Sequence, residues 1–591
     1  MNKYKILTRL SLILITLGLI SCNDYLNVIP KDKMIPENYF RNENELQMFS
    51  NTFYTQLPGE SAIIREGVDH IAKSEMSDEL RGSRIIPGSG SGWSWGQLRD
   101  INTLLEYSIN CSDREVRNRY DALAKFFRAY FYFEKVKRFG DVPWYDKQLT
   151  SNDPDLKKPQ DSREYIMSKV IEDLDFAIQY LPSKKDLYRI TKWTALALKS
   201  RACLFEGTYR KYHGLTIDEV GYEFYLNESI KASEAFMGQS QYKLYLGDPK
   251  TVYMDLFASL DAIEDEIILA RNYNKAYGQS HNANFYTLGV TYGRPGLNKR
   301  MVNSYLMSDG SRFTDKDNYK TLSFLEETKN RDPRLSQTIR TPGYTRIGES
   351  TKLVPDLLTC VTGYQPIKFV MGTKYDGPNS MSENDLPIFR TAEVYLNLAE
   401  AHAEMGTLTQ NILDNTIGKI RARVGMPLLD LTESNNNPDP FLMDPTTGYP
   451  KVQGDNKGVI LEIRRERNIE LIMEGFRYYD MMRWKEGKTF ESDYHGLYIP
   501  ELGSYDLDGD GNDDVCFYKG SKPTSTAPLF RKVDEEVFLS NGESGYISPY
   551  KNIKAKWNED RDYLYPIPLD ERMLTGGALK QNPGWDDGLN F

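Results

Sequence analysis

The chain has 591 residues, 74 Lys and Arg against 84 Asp and Glu, and 40 tyrosines. A net charge of −10 argues against a nucleic-acid partner, because neutralising phosphates needs concentrated Lys and Arg. Five cysteines, widely scattered, are too few for a disulfide framework.

Residues Met1 to Ser21 carry Lys3, Lys5 and Arg9, then the apolar run Leu10 to Ile20, then Cys22. Residues 1–21 read as a secretory leader, too short to span a bilayer. A cysteine directly after Leu19-Ile20-Ser21 makes it a lipoprotein leader, with Cys22 the acylated first residue of the mature chain. The competing reading is an ordinary leader with an incidental cysteine. An acyl tether at Cys22 holds a protein at a membrane without a spanning helix. Charges interrupt the remaining sequence, so no later transmembrane segment is expected. The leader holds three basic and no acidic residues, which leaves 71 against 84 in the mature chain, a net charge of −13. Residues 22–591 contain no Ser/Gly- or Pro-rich linker and read as one unit outside the cytoplasm.

Between Asp113 and Phe139, Val116, Tyr120, Leu123, Phe127 and Tyr130 share one helix face, and Gly140 ends it. A second helix starts at Asp161 or Ser162 and runs to Tyr180, before Pro182. A third, Thr191 to Glu206, carries Ala195, Ala197, Ser200 and Ala202, which permit close helix approach, and is expected to stop at Gly207. From Arg390 to Met405, Val394, Leu398, Ala401 and Met405 form one stripe and Tyr395, Ala399 and His402 another. Two stripes mean contact on two sides, as in stacked helical hairpins. Glu462 to Lys485 reads as one long charged amphipathic helix. Its Arg464, Arg465, Glu466, Arg467, Glu470 and Glu474 are spaced for ion pairs along a helix. The prediction is a mainly α fold, a helical scaffold over about 113–240 and 388–486. A loop-rich cap covers about 270–385 and 487–560, and long loops of this kind are more often functional than idle.

His70, His213, His281, His402 and His495 are far apart, with no HExxH or Cys/His cluster, so zinc is unsupported. No Gly-x-Ser-x-Gly elbow occurs. Cys203 falls within a helical pattern and reads as a small buried apolar residue. The run Asp506, Asp508, Asp510, Asn512, Asp514 places oxygen ligands at the first, third and fifth positions of a calcium loop, with Gly511 at the sixth. Position 12 is Phe517, so a structural calcium ion needs another closing ligand, such as Asp514 or a distant carboxylate. The alternative is a solvated acidic turn. No cofactor is otherwise required.

Several segments, in order, resemble the SusD/RagB family over nearly the whole chain: CNDYLNVIPKD, SEMSDEL, YDALAKFFRAYFYFEKVKRFGDVPWYD, ITKWTALALKSRACLFEG, FRTAEVYLNLAEAHAEMG, RRERNIELIMEGFRYYDMMRW, and YLYPIP followed by LKQNPGW. The resemblance implies a SusD-like scaffold of tetratricopeptide-like helical hairpins. It also implies a non-enzymatic, surface-exposed lipoprotein of the outer membrane that captures glycan and delivers it to a SusC-like TonB-dependent transporter. A peptide or protein-fragment receptor on the same scaffold and a surface glycosidase are the alternatives. Within PGSGSGWSWGQL, Trp93 and Trp95 share a face if the segment is extended. Trp95 precedes Ile101-Asn102 in a way that resembles a family scaffold position and is expected to be buried, with Trp93 exposed to ligand. The second candidate surface is the loop bearing Tyr273, Tyr277, Asn284, Tyr286, Tyr292 and Arg294, whose rings and edge donors suit a sugar.

Overall fold

The computed structural model describes residues 36–239 and 241–591; Cys22 and the leader lie outside them. Eight helices organise the fold: α1 (Gly96–Tyr107), α2 (Arg114–Phe139), α3 (Arg163–Tyr180), α4 (Lys192–His213), α5 (Tyr222–Met237), α6 (Thr391–Met405), α7 (Lys457–Glu470) and α8 (Arg477–Arg483). Their ends follow local chemistry. Asp113 accepts the N–H groups of Glu115 and Val116 at the start of α2, and Gly140, at φ 74°, ends it. Ser162 accepts the Tyr165 N–H and starts α3.

Two expectations fail for reasons the packing supplies. Helix α4 does not stop at Gly207 but runs to His213 and ends at Gly214, φ 67°. Gly207 is where α5 crosses: a Cβ there would lie 2.8 Å from Leu226 Cγ. The long helix expected from Glu462 to Lys485 is two helices. Met473 (φ 59°) and Gly475 (φ 80°) turn the chain between α7 and α8. A Gly475 Cβ would sit 2.5 Å from the Ala62 carbonyl oxygen, so an N-terminal segment packs directly on the turn.

Helices α2 and α3 pack along one another, as do α4 and α5, and α6 packs against α4, α5 and α7. Every residue from Thr391 to Glu404 is buried, which carries the two-stripe pattern of α6 to its limit. The charged residues of α7 face the interior instead of forming a solvated face: Arg464, Arg465, Glu466, Arg467 and Glu470 are all buried. Each such charge needs a partner. Glu400 receives Arg483, and Asp480 receives Arg467 and Arg483.

Strand β1 (Ile267–Arg271) pairs antiparallel with β2 (Leu386–Arg390), which leads directly into α6. In the cap, β3 (Gly503–Tyr505), β4 (Val515–Tyr518) and β5 (Leu529–Lys532) form a small mixed sheet in that order. Cys111, Cys203, Cys360 and Cys516 are free and buried. Much of the tyrosine excess is interior: Tyr132, Tyr225, Tyr253, Tyr286 and Tyr305 are fully buried. Among the described residues no helix is long and apolar enough to cross a membrane.

Candidate functional site

Gly90, Ser91 and Gly92 all take left-handed backbone conformations, φ 72°, 49° and 88°. Glycine adopts this region freely and serine does not, so the segment folds back sharply instead of extending. Arg138 holds the turn from α2, donating to the Ser91 carbonyl at 2.9 Å and to its hydroxyl at 3.0 Å. Lys135 donates to the Gly92 and Ser94 carbonyls. The result reverses the expected roles of the two tryptophans. Trp93 is only 4% exposed, edge-on to Phe139 with ring centroids 4.9 Å apart. Trp95 is half-buried at the start of α1 and keeps part of its ring accessible.

Trp95 forms one wall of a cavity of about 300 Å³. Tyr145 meets it edge to face at 5.4 Å with 83° between the ring planes, making an aromatic corner. Tyr145 is fixed through its backbone: its N–H donates to the Tyr132 hydroxyl at 2.6 Å, and its carbonyl accepts from Asn102 Nδ2 at 2.9 Å. Trp93, Leu98, Leu149 and Leu579 complete the apolar walls, while Arg99, Lys147 and Glu571 bring polar groups to the edge. Burial pushes the Tyr145 hydroxyl up to about 12, so it remains a donor at neutral pH. Burial, with Asp570 nearby, also raises the Glu571 carboxyl. Asn102 takes part by holding Tyr145. Tyr145 and Leu579 lie in segments that carry the family resemblance, but nothing in the sequence joins them or Glu571 to Trp95, because only the closed chain brings their segments together.

The loop from Tyr273 to Arg294 does not form one aromatic face. Tyr286 is 1% exposed, and Asn284 is fully buried. Asn284 Oδ1 accepts the Met371 N–H at 2.8 Å, and its Nδ2 donates to Asp376 at 3.0 Å. It therefore clamps two cap segments together and is not free for a ligand. Arg294 donates to the Leu357 carbonyl at 2.7 Å. Tyr273 is half-buried against His281, and Tyr292 lies under the Arg65 guanidinium, 4.5 Å from its ring centroid. Tyr277 alone stands out, 81% exposed. None of these residues lines the Trp95 cavity.

In the acidic loop, Asp506, Asp508 and Asp514 bring carboxylate oxygens within 4.8 Å of one another. Asp510 instead accepts the backbone and side-chain N–H groups of Asn512 at 2.8 and 3.1 Å. Asp506 shapes the turn by accepting the N–H groups of Gly509 and Gly511. Burial, together with Asp508, Asp506 and Asp510, pushes the Asp514 carboxyl up. Asp506, Asp508 and Asp514 are oxygen donors of the kind calcium takes, and Asp514 would have to supply the closing ligand that Phe517 does not.

A family model described as the SusD family matches residues 265–585, and one described as starch-binding, associating with outer membrane, matches residues 94–204. SusD-like protein P2 of Formosa agariphila is 23% identical over 617 residues, covering 99% of this chain and 100% of its own. SusD-like protein P38 of the same organism is 22% identical over 538 residues, covering 84% and 95%. Among solved structures, a SusD-like protein from Bacteroides fragilis superposes with a TM-score of 0.68 at 22% identity, covering 94% of this chain and all of its own. A SusD-like carbohydrate binding protein from Bacteroides fragilis superposes with a TM-score of 0.66 at 21% identity, covering 91% and 99%. With the first model alone spanning more than half of its length, the chain belongs to the SusD family.

Proposed function

We propose that this protein captures oligosaccharide or polysaccharide without cleaving it, at the Trp95 cavity, and passes it to a SusC-like TonB-dependent transporter. The observation that carries the reading is the Trp95–Tyr145 corner, an aromatic wall in a cavity lined mainly by apolar side chains. A sugar's hydroxyls exchange water for protein partners at small net gain, whereas its C–H faces shed water against an aromatic ring at about 25 cal/mol per Å² of apolar area. The carbohydrate binding named for one similar Bacteroides fragilis structure, and the starch-binding description of the N-terminal match, support the ligand class. Capture without cleavage is supported by the cavity wall, where Glu571 is the one carboxylate, since glycoside hydrolysis needs a pair.

The setting is the outer membrane, as in the description of the N-terminal match, with the chain tethered through acylated Cys22 and exposed at the surface. A calcium ion on Asp506, Asp508 and Asp514 would order the cap loop and take no part in binding sugar. Affinity electrophoresis against a panel of polysaccharides and peptides tests the reading: retardation by at least one polysaccharide supports it, and retardation only by peptides replaces it with the peptide-receptor alternative. Release of reducing sugar from a bound polysaccharide by the pure protein would make it a glycosidase.

A further inference from the structure

The cap holds a second cavity, of about 440 Å³, between the short helix Lys299–Ser304 and residues 491–495. It shares no lining residue with the Trp95 cavity. Its floor is charged and largely matched, with Arg300 Nε the exception among the described residues. Lys299 Nζ donates to Glu327 at 2.5 Å and to the Tyr364 hydroxyl at 3.2 Å. Arg300 donates to Asp69 at 2.6 Å and to Ser492 Oγ at 2.7 Å.

Apart from Arg300 Nε, the one buried charged atom of the lining without a partner among the described residues, the groups left unpaired are uncharged. Asn303 is 8% exposed, and among the described residues its Oδ1 finds no donor. A buried amide oxygen left unpaired is costly, and such an atom in a cavity wall points to something that pairs with it. His495 lies nearly parallel to Tyr546, ring centroids 4.5 Å apart and planes 22° apart. Burial, reinforced by Lys299 and opposed by Asp493, holds its imidazole below the usual range. A neutral imidazole offers one donor and one acceptor. Tyr319 adds a hydroxyl on the same wall, and exposed Lys320, Glu491 and Asp493 set charges of both signs at the rim.

We propose that this cavity binds an uncharged, hydroxyl-rich unit, a pyranose end or branch of a glycan, at a site separate from the Trp95 cavity. Amide, neutral imidazole and phenol each combine donor and acceptor, which neighbouring hydroxyls match and a purely anionic or cationic group does not. A uronate drawn to Lys320 meets Asp493 and Glu491, and an amine drawn to Asp493 meets Lys320, with Glu491 already paired to Lys488. The volume falls within the roughly 300–1,000 Å³ typical of small-ligand sites. The ligand class rests on the glycan-binding reading, while the location does not depend on the Trp95 cavity.

Five histidines make the test direct. The mature chain, labelled with ¹³C-histidine, is titrated with the methyl glycosides of glucose, galactose, mannose and xylose, and separately with glucuronate and glycylglycine; His495→Gln identifies the His495 signal. At least one neutral glycoside should move that signal, equally in Trp95→Ala, and about tenfold or more weakly in Asn303→Ala and Tyr319→Ala. Tyr319→Ala carries the test if Asn303→Ala melts early. A His495 signal unmoved by every neutral glycoside, or moved only by glucuronate or glycylglycine, overturns the proposal. A shift that persists when Trp95→Ala has no effect on polysaccharide affinity overturns the Trp95 reading alone.

Discussion

Arg390 and Glu470 are joined twice: Arg390 Nη1 donates to the Glu470 carboxylate and Nη2 to its backbone carbonyl, each at 2.7 Å. Arg390 ends β2 at the start of α6, and Glu470 ends α7, so the pair locks two helices at their termini. Arg423, at 2.6 Å, and Arg334, at 3.2 Å, share the same buried carboxylate. Glu470→Gln leaves three guanidiniums short of their counter-charge and should cost about 3–5 kcal/mol in chemical denaturation. The sign with pH follows. Burial alone would raise the Glu470 carboxyl, but Arg423, Arg390 and Arg334 overcome it and hold it below the usual range. Its contribution is therefore complete above the unfolded carboxyl value of about 4.3 and is lost as pH falls below it. Melting scans from pH 7 to pH 3 should fall less steeply in Glu470→Gln than in the wild type.

Gly207→Ala should destabilise by about 1–3 kcal/mol, although alanine is the better helix former, because its Cβ would meet Leu226 of α5 at 2.8 Å. Equal or higher stability in urea titration would mean that α4 and α5 can separate there without penalty.

What is legible in the sequence is local. Asp113, Ser162 and Gly140 mark helix ends because capping joins a side chain or a left-handed residue to backbone only a few positions away. The same signal misleads at Gly207, where glycine answers a crossing helix, and is drowned at Gly475 by the long helical pattern on either side. The charge pattern of α7 leads to the wrong ion pairs: the six charges spaced to pair along the helix, five of them buried, pair instead with other residues, Glu470 with Arg390, Arg423 and Arg334 from distant segments. Trp93 and Trp95 exchange their expected places through a three-residue left-handed turn and a contact with Phe139. Tyr145 and Leu579 reach the cavity only through the closed fold.

Excess calcium should raise the melting temperature relative to a chelator. Occupancy at a hundred times Kd adds about 2.7 kcal/mol. Asp514→Asn should abolish the difference, as it removes the carboxylate that completes the cluster. Identical melting curves in calcium and chelator favour the solvated turn.

Cys22→Ala should move the protein from the membrane pellet to the soluble fraction in cells lacking the proposed transporter, since on this reading an acyl tether at Cys22 would supply the membrane affinity. A variant that still sediments with the outer membrane in those cells contradicts a tether at Cys22.

The most direct measurement is calorimetric titration of the cognate polysaccharide into wild type, Trp95→Ala, Tyr145→Ala and Trp93→Ala. Trp95→Ala and Tyr145→Ala should each lose about 1–3 kcal/mol of binding while melting close to wild type, as central contacts of the cavity do. Trp93→Ala should lose about 3–5 kcal/mol of stability, because its ring, which also borders the cavity, fills the core against Phe139. Wild-type affinity in both Trp95→Ala and Tyr145→Ala would contradict the account and place glycan capture elsewhere on the protein.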